Sequence, residues 1–468
     1  MKKLLSVIVL VVIMVFISCR KDSFISSHDA VLGISADTLS FDTVFVTAGA
    51  ITKSFKIFNN NNQKLRLNKV KLAGGSSSTF KINVDGNIGP EVNNIEMEAN
   101  DSIYVFVTVN VNPSSGNLPF LLRDSISIQF NGNEKFVQLQ AYGQNAHFIR
   151  NKLIAADTTW TNDLPFVIIG GLQVDTGVTL TIQQGCRIYV NARAPILIDG
   201  TLLVNGTKTD SVVFRGDRLD PDYRDLPGSW PGIYFRGSSR NNRLTYAVIQ
   251  NSYQSVVVEK PSSNSNPKLT LQETIIDNSY DAGILAVNSS INARNCLVSN
   301  CGYNLLITQG GNYRFDYCTM ASYFSSFLFR KAENRVLTII NSDGASTPQI
   351  FDLSAQFNNC IFWGDGGAVE DEVAVFKQGS PAVYNVTFNN SLYKVTHDAT
   401  NAVFANSIKN DNPLFDSIDV SKHYYNFRLK NNSPAIDKGT IIPGINTDLD
   451  NKPRLAGSLP DLGAYEKQ

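Results

Sequence analysis

Four short stretches carry the feature that most limits how this chain can fold. They are TYAVIQNS, QETIIDNS, ARNCLVSN and FDYCTMAS, starting at Thr245, Gln272, Ala293 and Phe315. Laid over one another they align Ile249, Ile276, Val298 and Met320, at steps of 27, 22 and 22 residues. Two residues after each stands Asn251, Asn278, Asn300 or Ser322, and a second apolar run follows: SVVVE, GILAV, NLLIT or SFLFR. FNNCIFWG and YNVTFNNS look like later copies. One such unit cannot bury its apolar side alone, but stacked units can. A period near 22 with short strands and a polar turn therefore implies a parallel β-helix, its rungs about 4.8 Å apart. Inward side chains would form ladders, and the recurring Asn would bond the next rung.

The period also interprets the cysteines. Cys296, Cys318 and Cys360 fall in one slot of the repeat, which Ala247 and Thr274 also occupy. That slot takes a small buried residue, which weighs against a soft-metal or redox pair. Setting Cys19 apart leaves five cysteines, Cys186, Cys296, Cys301, Cys318 and Cys360, with no CxxC spacing. An odd count excludes a complete disulfide framework and points to buried free thiols.

Upstream the texture differs. Over residues 36–145, apolar and polar residues alternate in short runs such as SFKIF, KLRL, FKINV and SISI, parted by NNNNQ and NVDGN. Alternation of period two with one wet face marks antiparallel strands, and about eight runs suggest a β-sandwich. The chain begins MKKLLSVIVLVVIMVFISC: two lysines, an apolar run from Leu4 to Ile17, and a small residue before Cys19. The run is shorter than the roughly 20 residues a spanning helix needs, so 1–18 is expected to be a secretory signal. Lys+Arg and Asp+Glu are 41 each, and this balance argues against a nucleic-acid partner. The four scattered His (His28, His147, His397, His423) suggest no His-built metal site.

Four resemblances follow from these residues. Phe16-Ile17-Ser18-Cys19 resembles a bacterial lipobox, with Phe16 in place of the usual Leu. It implies lipidation of Cys19, a tether over 19–35 and a Gram-negative outer-membrane location. The Asn59 stretch and the run Val109-Asn110-Val111-Asn112-Pro113 are similar to the hydin-type, choice-of-anchor D group of Ig-like domains, implying a spacer or protein-contact module. From Asn151 onward, GLQVDTGVTLTIQQGCRI, ILIDGTLLVNGT and WPGIYF resemble right-handed parallel β-helix proteins of the pectate-lyase-like superfold. The end of the chain, SPAID, DLD, Arg454 and DLGAYE, resembles the closing motif of the choice-of-anchor Q group, with Asn451 where a Gly is usual. The expected fold is thus all-β: an Ig-like β-sandwich over 36–145, a right-handed parallel β-helix over 146–430 and a closing segment over 431–468.

Chemistry is sought in three places. The inserted loop RGDRLDPDYRDLPGSW offers Arg215, Asp217, Arg218, Asp222, Tyr223, Arg224 and Trp230 as candidate ligand-binding residues. Arginine would hold a sugar carboxylate and the rings would stack on pyranose faces; a self-neutralising salt-bridged loop is the bland alternative. The loop WGDGGAVEDEVAVF places Asp365, Glu370, Asp371 and Glu372 close together. Calcium is entertained near Asp365, Glu370 and Asp371, though a solvated acidic turn fits the irregular spacing better. In the closing segment, Asp437, Asp448, Asp450, Arg454, Asp461 and Tyr465 are expected to cap the last rung. Solenoid ends expose strand edges and need polar caps.

No pair of neighbouring acids within a rung marks a catalytic centre, so no catalytic residue, metal or cofactor is named. The expectation is a monomeric, lipid-anchored and non-catalytic envelope protein. It would present a β-helix face to a polysaccharide or a cell-surface protein. The alternative is an extracytoplasmic polysaccharide lyase or glycoside hydrolase; the superfold hosts both kinds.

Overall fold

A computed structural model describes residues 23–45, 51–110, 120–220, 223–323 and 330–468. The expected signal, Cys19, Asp222 and Val111 to Pro113 lie outside the described residues. The chain divides into two units, Met1–Asn145 and Ala146–Gln468.

In the first unit, apolar and polar residues alternate because each strand has a buried and a wet side. Leu65, Leu67, Val70 and Leu72 are buried, as are Phe80, Ile82 and Val84, and Ile103, Val105, Val107 and Val109. The strands form two five-stranded sheets. Pairing is antiparallel except between Asn133–Gln144 and Thr38–Phe45, which run parallel with a shift of register after Ala141. Asn59 is buried, and its amide donates to the carbonyls of Gln63 (2.9 Å) and Glu98 (2.7 Å), closing the NNNNQ turn.

The second unit is built on a parallel sheet of 26 strands, wound like a β-helix. Each turn of chain contributes to three faces. The first face includes Ala247–Gln250, Ile275–Asp277, Leu297–Ser299, Thr319–Tyr323 and Ile361–Asp365. The second includes Ile233–Phe235, Gln254–Glu259 and Leu337–Ile340. The third includes Asn242–Thr245, Leu269–Gln272, Leu353–Asn358 and Tyr384–Asn389, with the later halves of Ala282–Arg294 and Tyr303–Asp316 between them.

Pairing sets Ile249, Ile276, Val298, Met320 and Phe362 side by side on the first face. Cys296, Cys318 and Cys360 stand one residue before three of these paired strands. They are buried and free, as are Cys186 and Cys301. Tyr313 and Phe315 are buried in the inward ladder, and Tyr317 is buried beneath the closing segment, its hydroxyl donating to the Thr440 carbonyl (2.7 Å).

Turns at both ends of the first face need left-handed backbone, which Asn tolerates better than most residues. Asn251, Asn278 and Asn300 have φ of 63°, 58° and 51° at one corner; Asn295, Asn359 and Asn390 have 51°, 55° and 47° at the other. Asn278 donates its amide to Asn251 Oδ1 one rung back (2.8 Å), a side-chain ladder between turns. At the turn into the second face, Gly232 has φ of 132°, and a Cβ there would meet the Gln254 carbonyl oxygen.

The parallel sheet ends at Ile408–Lys409, and an antiparallel hairpin follows, Phe415–Asp419 with Tyr424–Leu429. The closing segment then departs from the expected cap. It folds back along the outside of the first face instead of covering the last rung. Thr440 is held by Asn359 and Tyr317, Thr447 by Asn295, and Ala464 donates to Thr319 Oγ1 (2.9 Å). The reason is apolar. Leu297, Ala321, Ile361, Trp363 and Leu392 project outward from the first face and form a second core with Phe427, Ala435, Leu449, Leu462 and Tyr465. Without that cover the first face would be an exposed apolar stripe across several rungs.

Candidate functional site

The third face carries a broad concave surface. Period-two alternation turns Thr270, Asn292, Arg314, Gln356 and Thr387 outward in one column, and pairing places them on successive rungs. A depression of about 620 Å³ runs over Ser290, Asn292, Asn312 and Ser354, walled on one side by the Pro261–Pro267 loop. A second, of about 370 Å³, shares Asn292 and continues over Thr270, Gln272 and Arg314 to a wall of closing-segment residues 442–445. The two read as one groove across the rungs.

Polar and apolar atoms share the groove's lining about equally. The amides of Asn292 and Asn312 are committed to no hydrogen bond with a described residue, and both residues are exposed. Beside them the acids are taken. Asp316 receives Arg314 Nε (2.8 Å) and Asn358 Nδ2 (2.7 Å), and Asn389 continues this ladder onto Asn358 (2.9 Å). Asp352 accepts the Val383 amide (2.9 Å), and Glu273 accepts Arg294 (3.1 Å). Such a surface can exchange hydrogen bonds with hydroxyl groups but holds no uncommitted carboxylate pair.

The inserted loop is placed differently from its reading in sequence. Trp230 is 1% exposed, and its Nε1 donates to the Gln250 carbonyl (2.9 Å). It is a core residue and is removed from the ligand-binding set; the indole buries more apolar surface inward than a loop could offer it outside. Arg218 is bidentate to Asp220 (2.8 and 3.0 Å) and lies 3.8 Å over the Tyr223 ring. Arg224 pairs with Asp225 (3.0 Å). Asp217 accepts from Asn191 (2.9 Å), and burial pushes its carboxyl up. These contacts are those of a self-neutralising loop. Arg215 is the exception: its guanidinium meets the Arg224 carbonyl (3.0 Å) and no carboxylate among the described residues.

Asp365, Asp371 and Glu372 of the acidic loop are likewise committed, while Glu370 is exposed. Asp371 accepts the amides of Thr396 and His397 (both 2.7 Å) and the His397 ring (3.1 Å). Asp365 accepts the Gly366 amide and lies 3.7 Å from Lys394. Glu372 turns inward to Arg330, a partner that sequence reading missed, 42 residues away. Among the described residues no three His, Cys, Asp or Glu come together as a metal site.

The closing segment holds the densest buried charge. Asp448 accepts the amides of Lys452 (2.7 Å) and Glu466 (2.8 Å), and Asp461 those of Asp437 (2.8 Å) and Lys467 (2.7 Å). Asp437 takes the Leu459 amide (3.0 Å). Asp450 takes Arg428 twice (2.6 and 2.8 Å) and Lys208 (2.5 Å); burial works to raise its carboxyl, but the two cations hold it below the usual range. Arg454 is buried over the Tyr317 ring (4.2 Å) and bonds Asn295 (2.6 Å), while Arg428 lies over Tyr465 (4.6 Å). Asp437, Asp448 and Asp461 accept backbone amides of turns in a segment that lies along a face.

Glu466 gives this segment a pH dependence. Burial, with Asp461 beside it, pushes its carboxyl up to about 7 from 4.5. A group raised on folding binds more protons in the native state, so its contribution is complete below 4.5 and lost as pH rises through about 7. Asp437 and Asp450 are lowered, so their effect falls below 3.8, outside this window. The unfolding midpoint is expected to fall between pH 5 and 8, and Glu466→Gln to flatten that fall. A slope unchanged in Glu466→Gln refutes the assignment.

No protein-family model matches the chain, and no curated protein matches it. Several solved structures share parts of its shape. A family 123 glycoside hydrolase from Clostridium perfringens matches at 10% identity over 26% of this chain and 31% of its own, TM-score 0.19. The CooA pilin subunit from enterotoxigenic Escherichia coli matches at 9% identity over 24% of this chain and 97% of its own, TM-score 0.19. The catalytic unit of a GH87 alpha-1,3-glucanase from Streptomyces thermodiastaticus matches at 10% identity over 81% of this chain and 93% of its own, TM-score 0.22. The chain thus spans under a third of the first of these. At such scores none of the likenesses carries an argument about this chain.

Proposed function

We propose that this chain is a lipid-anchored envelope protein that binds a glycan, without cleaving it, in the groove of the third face. One observation carries the reading: a groove of outward Asn, Ser and Thr on successive rungs, whose acids are already bonded within the protein. Stacked strands repeat about every 4.8 Å, so polar side chains recur along the groove in two columns, Thr270, Asn292, Arg314, Gln356 and Thr387 beside Ser290, Asn312 and Ser354, which a ligand with a repeating array of hydroxyls can use. The 26-stranded unit is taken as a right-handed parallel β-helix and the first unit as an Ig-like β-sandwich. The latter's two mostly antiparallel sheets with alternately buried positions support a spacer role. Lipidation at Cys19 and the outer-membrane location rest on the leader's basic start, apolar run and Phe16–Cys19 stretch.

A glycan array with the purified chain, followed by product analysis, tests this. Binding with no product is expected. The double variant Asn292→Ala/Asn312→Ala should weaken binding by about tenfold, near the loss of one or two neutral hydrogen bonds. Shortened or unsaturated products would replace this reading with that of a hydrolase or lyase. Capture of a cell-surface protein with no glycan binding would also refute it. For the anchor, Cys19→Ser should abolish labelling by a fatty-acid analogue and release the chain from the membrane fraction.

A further inference from the structure

The two ends of the groove differ in charge. At the end walled by residues 442–445, Arg294 and Arg314 line the depression from adjacent rungs. Each spends only its Nε on a carboxylate: Arg294 on Glu273 (3.1 Å) and Arg314 on Asp316 (2.8 Å). The Nη groups of both make no hydrogen bond with a described residue and keep their donors. Arg243 lies in the same outward column as Thr270, one rung earlier, and is also exposed. Its guanidinium meets Asn205 (3.3 Å) and no carboxylate among the described residues.

The pairs are layered by depth. The Arg294 and Arg314 side chains are 37% and 45% exposed, whereas Glu273 and Asp316 are 7% and 10% exposed. The cations thus face the groove and the acids lie beneath them. An anion entering the groove meets the guanidinium groups at shorter range than the carboxylates, and the nearer charge dominates. A guanidinium fork with free Nη donors matches the two oxygens of an oxyanion. Opposite stand Ile442, Pro443 and Ile445, an apolar wall against which the C–H face of a sugar ring can pack. At about 370 Å³ the depression has room for such a ring, and it opens through Asn292 into the neutral Asn and Ser floor of the larger one.

We propose that the glycan of this groove is anionic: the depression between Arg294, Arg314 and the 442–445 wall takes a sugar that bears an oxyanion, a carboxylate or a sulfate ester. The inference rests on the glycan-binding reading and names the class of ligand for that same site.

The test titrates the full chain at low salt with an oligogalacturonate and with a sulfated galactan oligosaccharide. Each is run beside its neutral counterpart, the methyl ester or the desulfated chain. An acidic chain is expected to bind about tenfold tighter than its neutral counterpart, and salt should shrink the difference. Preference for the oligogalacturonate identifies a carboxylate, and preference for the sulfated galactan a sulfate ester. Arg294→Gln/Arg314→Gln should abolish the preference and leave the neutral chains bound as before. Asn292→Ala/Asn312→Ala should weaken acidic and neutral chains alike and keep the preference. If the arginine variant fails to fold, the comparison of acidic with neutral chains on the wild type decides. Equal affinity for the two overturns the proposal and leaves the groove reading standing. A preference that the folded arginine variant retains also overturns it. Binding of no glycan, here or on the array, would remove the groove reading and this inference with it.

Discussion

Glu372→Ala is expected to lower the stability of the second unit by about 3–5 kcal/mol, the cost of breaking a buried ion pair from one side. The Arg330 and Glu372 side chains are 1% and 0% exposed, joined at 2.9 and 2.5 Å. Removing the carboxylate strands a guanidinium that already has one unpartnered buried atom, Nε. Domains are commonly stable by only about 5–15 kcal/mol, so this loss would unfold a measurable fraction of molecules. Gly364 belongs to the same arrangement, since a Cβ there would collide with Glu372 Oε1. Replacing both charges with apolar residues, as in Arg330→Met/Glu372→Leu, should recover most of the loss. The check is the denaturant midpoint of each variant. A single substitution costing under about 1 kcal/mol would show that the pair is not desolvated.

Asp448→Ala should be comparably damaging, and its damage should begin locally. The carboxylate is fully buried and accepts two backbone amides, those of Lys452 and Glu466. Bonds to a charged acceptor contribute about 1.5–3 kcal/mol each, and their loss leaves two N–H groups with no acceptor. The closing segment should then separate from the first face and uncover Leu297, Ile361 and Leu392. Limited proteolysis is expected to cut the variant near residues 430–460 and to cause aggregation, while the folded remainder keeps its groove and its glycan affinity. A variant that resists the protease like the wild type would disprove the clamp. A stable variant that loses binding would return these acids to the functional site.

Much of the second unit was legible because its signal is one of repetition. A ladder requires the same kind of side chain at the same point of each rung. Ile249, Ile276, Val298 and Met320 align in sequence as they pair in space. The cysteine slot follows from the same register, and the Asn turns from the left-handed backbone at each corner. Nothing repeats in the inserted loop. There, Trp230 and Arg224 look alike as exposed candidates until the fold sends one into the core and pairs the other with Asp225. The closing segment was legible as a turn-organising motif but not in its location, because its apolar residues do not declare which surface they will cover.

Spacing along the chain, then, was sufficient for a stacked all-β architecture, its rung register and the burial of its thiols. Each depends on near neighbours and on a period that sterics imposes on every rung. Three features depended on long-range closure: the Arg330–Glu372 pair, the closing segment's path past Asn295, Tyr317 and Asn359, and the groove wall that sets Ile442 opposite Arg314. Their partners lie tens to hundreds of residues apart. Such contacts are selected by which outward faces remain apolar or unpaired once the coils have stacked, and no local pattern encodes that remainder.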